Sequence, residues 1–402
     1  MSNLALNLNI EGDYIDSFIY SGVLYLLDSD FKFTSYSWNA LCDFILKRNG
    51  FKFDDARLVL GFSKDNRLVN KSINHIDTCL DKGELLSLRK DVVEIKTWPS
   101  DINIFSNKLY FSGDEGVFFI NTNHLTAEFD KENIQKVFGM KGFSISPNTN
   151  NRIALAVGRE GVFTSTLKYG IRTPSEVQVS DSSSIDVDWL DESLFVNSDN
   201  LIVKDFHKII HKKDIESNDL FMTIKREMEK EYDGVVIDSG SIISKSYRKY
   251  LDIALSYPPK TLKLNDHYRY GWSSGDCNFV LNKKNEIVVQ NKMSGGVEKI
   301  AIPGDFADPE KIRTSGCGTI IEFNDGQLFS ISGDGISLIS NDFASWRVFP
   351  RAKNHANHLH LINEDNINIK VYNKKESNFN SFLSREKDEQ YKYGVSNFIE
   401  GE

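Results

Sequence analysis

The sequence predicts an all-β chain built from one repeated hairpin. Three observations carry this. GDEGVF at Gly113–Phe118 recurs as GREGVF at Gly158–Phe163, 45 residues on, and a shortened relative, GDGISLIS, begins at Gly333. A looser unit, strand–polar turn–strand, occurs seven times: Val23–Tyr36, Lys108–Thr122, Arg152–Thr166, Ser193–Phe206, Asn278–Asn291, Gln327–Ser340 and His358–Tyr372. The chain is also rich in Phe (27) and Tyr (15) and poor in Pro (8), a composition that suits half-buried sheet surfaces.

Each unit has the chemistry of a hairpin. Tight turns need positive φ, which Gly adopts freely and Asn or Asp better than most residues. The turns carry Glu115-Gly116, Glu160-Gly161, Asp199-Asn200 and Asp365-Asn366, between segments that alternate or run apolar. Turn to turn, Gly116, Gly161 and Asn200 lie 45 and 39 residues apart, and Asn285, Gly335 and Asn366 lie 50 and 31 apart. A mean period near 40–45 with two hairpins per unit is the spacing of β-propeller blades. The two wider steps, 86 residues from Asp30 to Gly116 and 85 from Asn200 to Asn285, are about twice that period.

Insertions account for the double steps. In the first, WNALCDFILKRNG (Trp38–Gly50) predicts a helix stopped at a glycine, and ARLVLGFSKDNRLVNKS after it is hairpin-like. In the second, Leu220, Ile224 and Met228 recur at i, i+4 and i+8 and predict an amphipathic helix ending at Gly234. GVVIDSGSIISKS beyond it is again hairpin-like. The prediction is therefore one propeller of about seven blades, within a range of six to eight. It spans residues 1–372, with helical insertions near 38–80 and 207–233 and a charged tail over 373–402. LALNLNI at the start alternates cleanly and is placed as the closing strand of the last blade.

The repeat resembles the β-propeller superfamily in its WD40-like and sialidase-repeat-like branches, at the level of fold and of no specific family. SNDFASW (Ser340–Trp346) resembles the Asp-box turn of sialidase-type blades: Ser340, Asp342, Ser345 and Trp346 match in kind, the loop is one residue short, and Ala344 replaces the glycine. An Asp-box is structural. The resemblance implies an Asp bonded to local backbone and a Trp packed between sheets, and it implies no catalysis. The recurrent GH and WD dipeptides of WD40 repeats do not occur here.

Charge and motifs narrow the function. A net charge of −9 and a pI near 5.5 oppose general nucleic-acid binding. Four cysteines without a CxxC pair argue against structural zinc and fit a reducing compartment. The N-terminus lacks a signal-peptide pattern, and no run of about 18 apolar residues predicts a membrane span. These points predict a soluble cytoplasmic protein. The bias toward Asn, Lys, Ile and Asp suggests an AT-rich bacterial or phage genome. There is no GxxxxGK[ST], HExxH or GxSxG, and a sialidase's arginine cluster and Tyr/Glu pair cannot be assigned.

Four stretches could carry chemistry. FPRAKNHANHLHL (Phe349–Leu361) holds His355, His358 and His360, imidazoles able to ligate a metal, with Arg347, Arg351 and Lys353 nearby for an anion or a partner. The bland alternative is a polar loop entering a blade strand. KDFHKIIHKK (Lys204–Lys213) makes a local basic patch with Lys208, Lys212 and Lys213 for an acidic partner or a nucleic-acid backbone, or else a solvated junction. SIDVDWLD puts Asp186 and Asp188 on one strand face, as acid–base work would need and as ordinary alternation also produces. Cys317 lacks an assignable histidine partner, so a small buried thiol is the simpler reading.

No catalytic residue and no cofactor is assigned. The sequence points to a non-enzymatic interaction scaffold, adaptor or sensor subunit, of the kind found in bacterial signalling or defence assemblies. It would bind another protein through a propeller rim or the helical insertions. The alternative is a propeller enzyme or ligand receptor, a sugar- or anion-processing hydrolase, with its site at the mouth of the central channel.

Overall fold

A computed structural model describes residues 4–50, 53–62, 72–148, 152–166, 176–231, 239–264, 268–275, 277–291, 297–302, 306–332, 335–352 and 354–373. Its strands form seven sheets, antiparallel apart from one parallel pair in the closing sheet; five of them have four strands, and the second and the closing sheets have five. The innermost strands are Tyr14–Tyr20, Asp101–Phe105, Ser144–Pro147, Asp186–Leu190, Tyr268–Ser274, Pro309–Ser315 and Ser345–Val348. They define blades one to seven. Each lies against the inner strand of the next blade, and that of blade seven lies against that of blade one, so the ring closes. The chain is a seven-bladed β-propeller.

The closing blade joins both ends of the described chain. Its first three strands are Ser345–Val348, His358–Ile362 and Asn366–Tyr372, and its fourth is Leu4–Glu11, antiparallel to the third with Leu8 opposite Ile369. The alternation in LALNLNI buries Leu6, Leu8 and Ile10 completely. A fifth strand, Ile76–Leu80, adds in parallel outside it. This is the placement the alternating N-terminal pattern predicts.

Side chains also stitch the blades together. Ser35 Oγ donates to the Ala127 carbonyl between blades one and two at 2.5 Å, and Asn103 Nδ2 to the Ile145 carbonyl between two and three at 2.8 Å. Trp189 Nε1 donates to Ser146 between three and four. Asn197 exchanges two bonds with the Gly271 backbone between four and five. Trp272 Nε1 reaches Thr314 between five and six, and Trp346 Nε1 reaches Glu322 between six and seven. His360 Nδ1 and Ser17 Oγ, 2.6 Å apart, join seven to one. Every junction thus pairs a buried polar group within an apolar interface, as burial demands.

The insertions differ in part from expectation. The first contains α1 (Trp38–Arg48), α2 (Phe53–Leu60) and α3 (Lys82–Ser87). Ser37 caps α1 and an Asp81/Glu84 capping box starts α3. The second contains a 3-10 turn at Lys212–Ser217, then α4 (Asp219–Glu231) and α5 (Ser239–Ser256). Where the two hairpin-like stretches are described they are helical: α2 begins the first, whose residues 63–71 lie outside the described residues, and α5 covers the end of the second, whose residues 234–238 lie outside them. Ile243, Tyr247, Tyr250, Leu251 and Ala254 recur at helical spacing, and the apolar signal lies mostly beyond Ser246, where the hairpin-like stretch ends. Ile215, Phe221, Ile224, Tyr250 and Ala254 give the second insertion a core of its own.

The blade-six hairpin also needs shifting. Gly335 opens that blade's fourth strand, and the turn between its second and third strands is at Gly326. The steps from Asn285 to Gly326 and on to Asn366 are then 41 and 40 residues, which evens the period.

Candidate functional site in the central channel

Strand direction alternates within each blade, so every connection from a third to a fourth strand leaves from one face of the disc. Both insertions are such connections: the first follows Lys32–Ser37 in blade one and the second follows Ile202–Asp205 in blade four. Turns between first and second strands share that face. In blade seven this turn is the long loop Phe349–Asn357, and it crosses the channel. Arg351 donates to the Pro147 carbonyl at 2.8 Å, to Asp188 Oδ1 at 2.6 Å and to the Trp189 carbonyl at 3.1 Å. Those acceptors belong to blades three and four, opposite blade seven in the ring. Phe62 of the first insertion stacks on His355 of the loop, with ring centroids 5.5 Å apart. The channel is therefore floored on the insertion side, leaving a cavity of about 1040 Å³.

Alternation on the inner strands aims charged residues into this cavity. Arg347 of blade seven donates from Nε to Asp16 Oδ1 at 2.6 Å, makes a second bond to Asp16 Oδ2, and reaches Asp101 Oδ1 on blade two at 3.1 Å. Arg313 of blade six reaches the other way, to Asp186 Oδ1 on blade four at 2.5 Å and to the Tyr270 hydroxyl on blade five at 2.6 Å. Tyr270 and Asn197 both donate to Asp186 Oδ2. Asp188 Oδ2 accepts from the Ser273 amide and hydroxyl. Asp101 Oδ2 accepts from the Ile145 amide at 2.7 Å.

These contacts set the protonation states. Burial raises the pKa of Asp186, but Arg313 and the three hydrogen bonds outweigh it and hold the carboxyl below its ordinary value. Burial likewise opposes charge on Arg347, and Asp16 and Asp101 outweigh it. At Asp101 the balance falls the other way: burial, only partly offset by Arg347, leaves its pKa raised. Asp186 and Asp188 do share the channel face, as the alternation predicts. Each is held by an arginine and further donors, which is the geometry of a structural brace.

Lys311, like Arg313, is a cavity cation that sequence reasoning missed. It lies two residues before Arg313, half-buried on the cavity wall, with Nζ 4.8 Å from the centre of the Trp346 ring. Burial, then the charges of Arg313 and Arg347, lowers its pKa. The signal available in sequence was KIR alternation at the start of a blade, which is indistinguishable from solvated strand patterning.

The structure brings the three histidines of the candidate metal stretch together. His355, His358 and His360 are buried, His355 and His358 with ring centroids 5.0 Å apart and His358 and His360 at 5.9 Å. His358 packs edge-on to Trp38, and His360 edge-on to Phe349. His355 Nε2 accepts from the Gly22 amide at 3.2 Å. Burial, with His355 and Arg347 nearby, pushes the pKa of His360 down to about 3. Among the described residues no group of three or more His, Cys, Asp or Glu is arranged to hold a metal ion.

Of the anion or partner candidates, Arg347 and Arg351 meet in the channel, already bound to carboxylates. Lys353 lies outside the described residues. Lys208, Lys212 and Lys213 are exposed at the base of the second insertion, and Lys212 Nζ donates to Ser244 on α5 at 2.9 Å. Cys317 is buried, its thiol 2.8 Å from Ser315 Oγ and its pKa pushed up to about 11 by burial, which favours the protonated thiol. In the Asp-box-like stretch, Ser340 makes the local bonds, to the Asp342 backbone, and Trp346 packs between blades six and seven. The stretch links two blades. Among the described residues no helix is long and apolar enough to cross a membrane.

The fold and its braced channel define a propeller protein. No family model matches the chain, and no curated protein does. Solved propellers are similar in shape. A chain of the mitotic checkpoint complex matches at 9% identity and a TM-score of 0.44, covering 93% of this chain and 89% of that one. The WD40 domain of Neurospora crassa Pan2 matches at 6% identity and 0.43, covering 90% and 89%. The Dos1 propeller matches at 8% identity and 0.43, covering 90% and 83%.

Proposed function

We propose that this propeller is a non-enzymatic interaction scaffold, an adaptor or sensor subunit that docks another protein on the face bearing its two helical insertions. The observation that carries the reading is topological: two insertions, from blades one and four, emerge on the same face of a rigid ring. One of them has its own apolar core and a lysine-bearing base at Lys208, Lys212 and Lys213. The bracing of Asp186, Asp188, Asp16 and Asp101 by arginines supports the same reading, because such carboxylates serve the ring. A soluble, cytoplasmic setting and a place in a bacterial signalling or defence assembly belong to this proposal.

The test uses a feature of the register. Asp205 and Lys260 are directly paired on adjacent strands, so residues 206–259 can be exchanged for a two-residue Asn-Gly turn with the blade kept. The full chain should capture a defined partner from its native host, and the shortened chain should fold and lose it. Equal capture by both chains, or none by the full chain, sinks the proposal.

A further inference from the structure

We infer that the central cavity binds a small organic anion, a carboxylate or phosphate attached to an apolar body, with the ammonium of Lys311 as its anchor. The ligand would enter from the face opposite the insertions.

The argument begins with the charges. Around the cavity, Asp16 and Asp101 are taken by Arg347, Asp186 by Arg313, and Asp188 by Arg351. Lys311 forms no ion pair within 4.0 Å among the described residues, and its Nζ lies over the Trp346 ring. Its cross-strand neighbour Glu322 is already the acceptor of the Trp346 indole at 2.7 Å. An ammonium has three donors, and the Trp346 ring that faces Nζ offers them no conventional acceptor. A negatively charged acceptor at Nζ would engage those donors and favour the charged form, against the burial and the Arg313 and Arg347 charges that lower the Lys311 pKa.

Position and shape agree. Lys311 stands near the start of its strand, while the Ser315 end approaches the floor, where Gly316 meets the backbone of Ala356 in the crossing loop. The lysine therefore points into the cavity on the open side. Below it lie apolar surfaces from Phe18, Phe105, Ile145 and Phe349, the first and last in edge contact at 5.3 Å. At about 1040 Å³ the cavity is of small-molecule size, and its wall combines these apolar surfaces with the braced charges. Glu322 and Glu310 also line the cavity and weaken the local positive potential.

The experiment is calorimetric titration of the full chain with phenyl phosphate and benzoate, and with benzyl alcohol and benzamide as neutral analogues. One anion should bind saturably, one to one, and both neutral analogues should not. Lys311→Met should weaken the anion by at least about tenfold, as expected for a lost charged hydrogen bond, whereas Lys311→Arg should stay within about threefold. Thermal melting guards against misfolding: K311M removes an uncompensated charge and should melt at or above the parent temperature. Absence of binding by both anions, or equal binding by the parent and a folded K311M, overturns the inference. A lost partner in the insertion-exchange test would leave this result unaffected, so the two readings fail separately.

Discussion

Arg351 and Asp188 bond at 2.6 Å across the full width of the channel, linking blade seven to blade four. The contact gives a surface loop the role of a floor. Arg351 is 41% exposed, so its charge is well solvated, while Asp188 is only 13% exposed. Arg351→Ala should therefore cost little stability, about 1 kcal/mol. It should free the loop all the same. Hydrogen exchange at Ala352, His355 and Asn357 should accelerate markedly, with exchange in the blade strands unchanged. Uniform acceleration across the protein would show that the loop is no separate unit.

A deeper brace should behave differently. Arg347 is flanked by Asp16 and Asp101, all three side chains no more than 20% exposed. Arg347→Met strands two carboxylates, and urea denaturation should report a loss of about 3–5 kcal/mol. Adding Asp16→Asn and Asp101→Asn should recover most of it. If the single variant loses under about 1 kcal/mol, the brace is ornamental to stability.

The sequence made the blades legible because hairpin chemistry is local. Glu115-Gly116 and Glu160-Gly161 announce their turns without help from the rest of the chain. Blade six misled because Gly335 opens a strand with the same signature that Gly326 gives to the correct turn. The channel was legible only in part. Asp186 and Asp188 share a face by strand period alone. Their pairing with Arg313 and Arg351, 127 and 163 residues away, depends on ring closure. Lys311 was hidden for the same reason: its lack of an ion pair among the described residues depends on what its neighbours have already bound.

His360 should make the protein acid-sensitive. Its folded pKa of about 3 is depressed, mainly by burial, against about 6.5 in the unfolded chain. The unfolded state then binds a proton that the folded state refuses. This stability is fully present above about pH 6.5 and is lost as pH falls toward 3, by up to about 1.4 kcal/mol per unit. In His360→Asn, which can keep a bond to Ser17, the fall between pH 6 and 4 should be shallower than in the parent. Parallel pH profiles would mean that His360 is protonated in the folded protein.

The paired glycines of the opening hexapeptides supply the last test. Gly116 has φ near +126° and Gly161 near +87°, so an L side chain is strained at both. A second constraint is spatial. A Cβ at Gly116 would stand 2.2 Å from the Phe138 carbonyl, and one at Gly161 would stand 2.1 Å from that of Ser180. Both carbonyls belong to the strands that complete blades two and three, so each glycine lets the outer strand close against its neighbour. Gly335, with φ near +113°, has nothing within 4 Å of the corresponding position. Gly335→Ala should carry backbone strain alone, about 1–3 kcal/mol. Gly116→Ala and Gly161→Ala should each cost more, because the outer strand must also move, and exchange protection over Gln135–Phe138 or Val177–Ser180 should fall selectively. Equal losses at all three positions would show that φ alone dictates the glycine and that close strand approach contributes nothing.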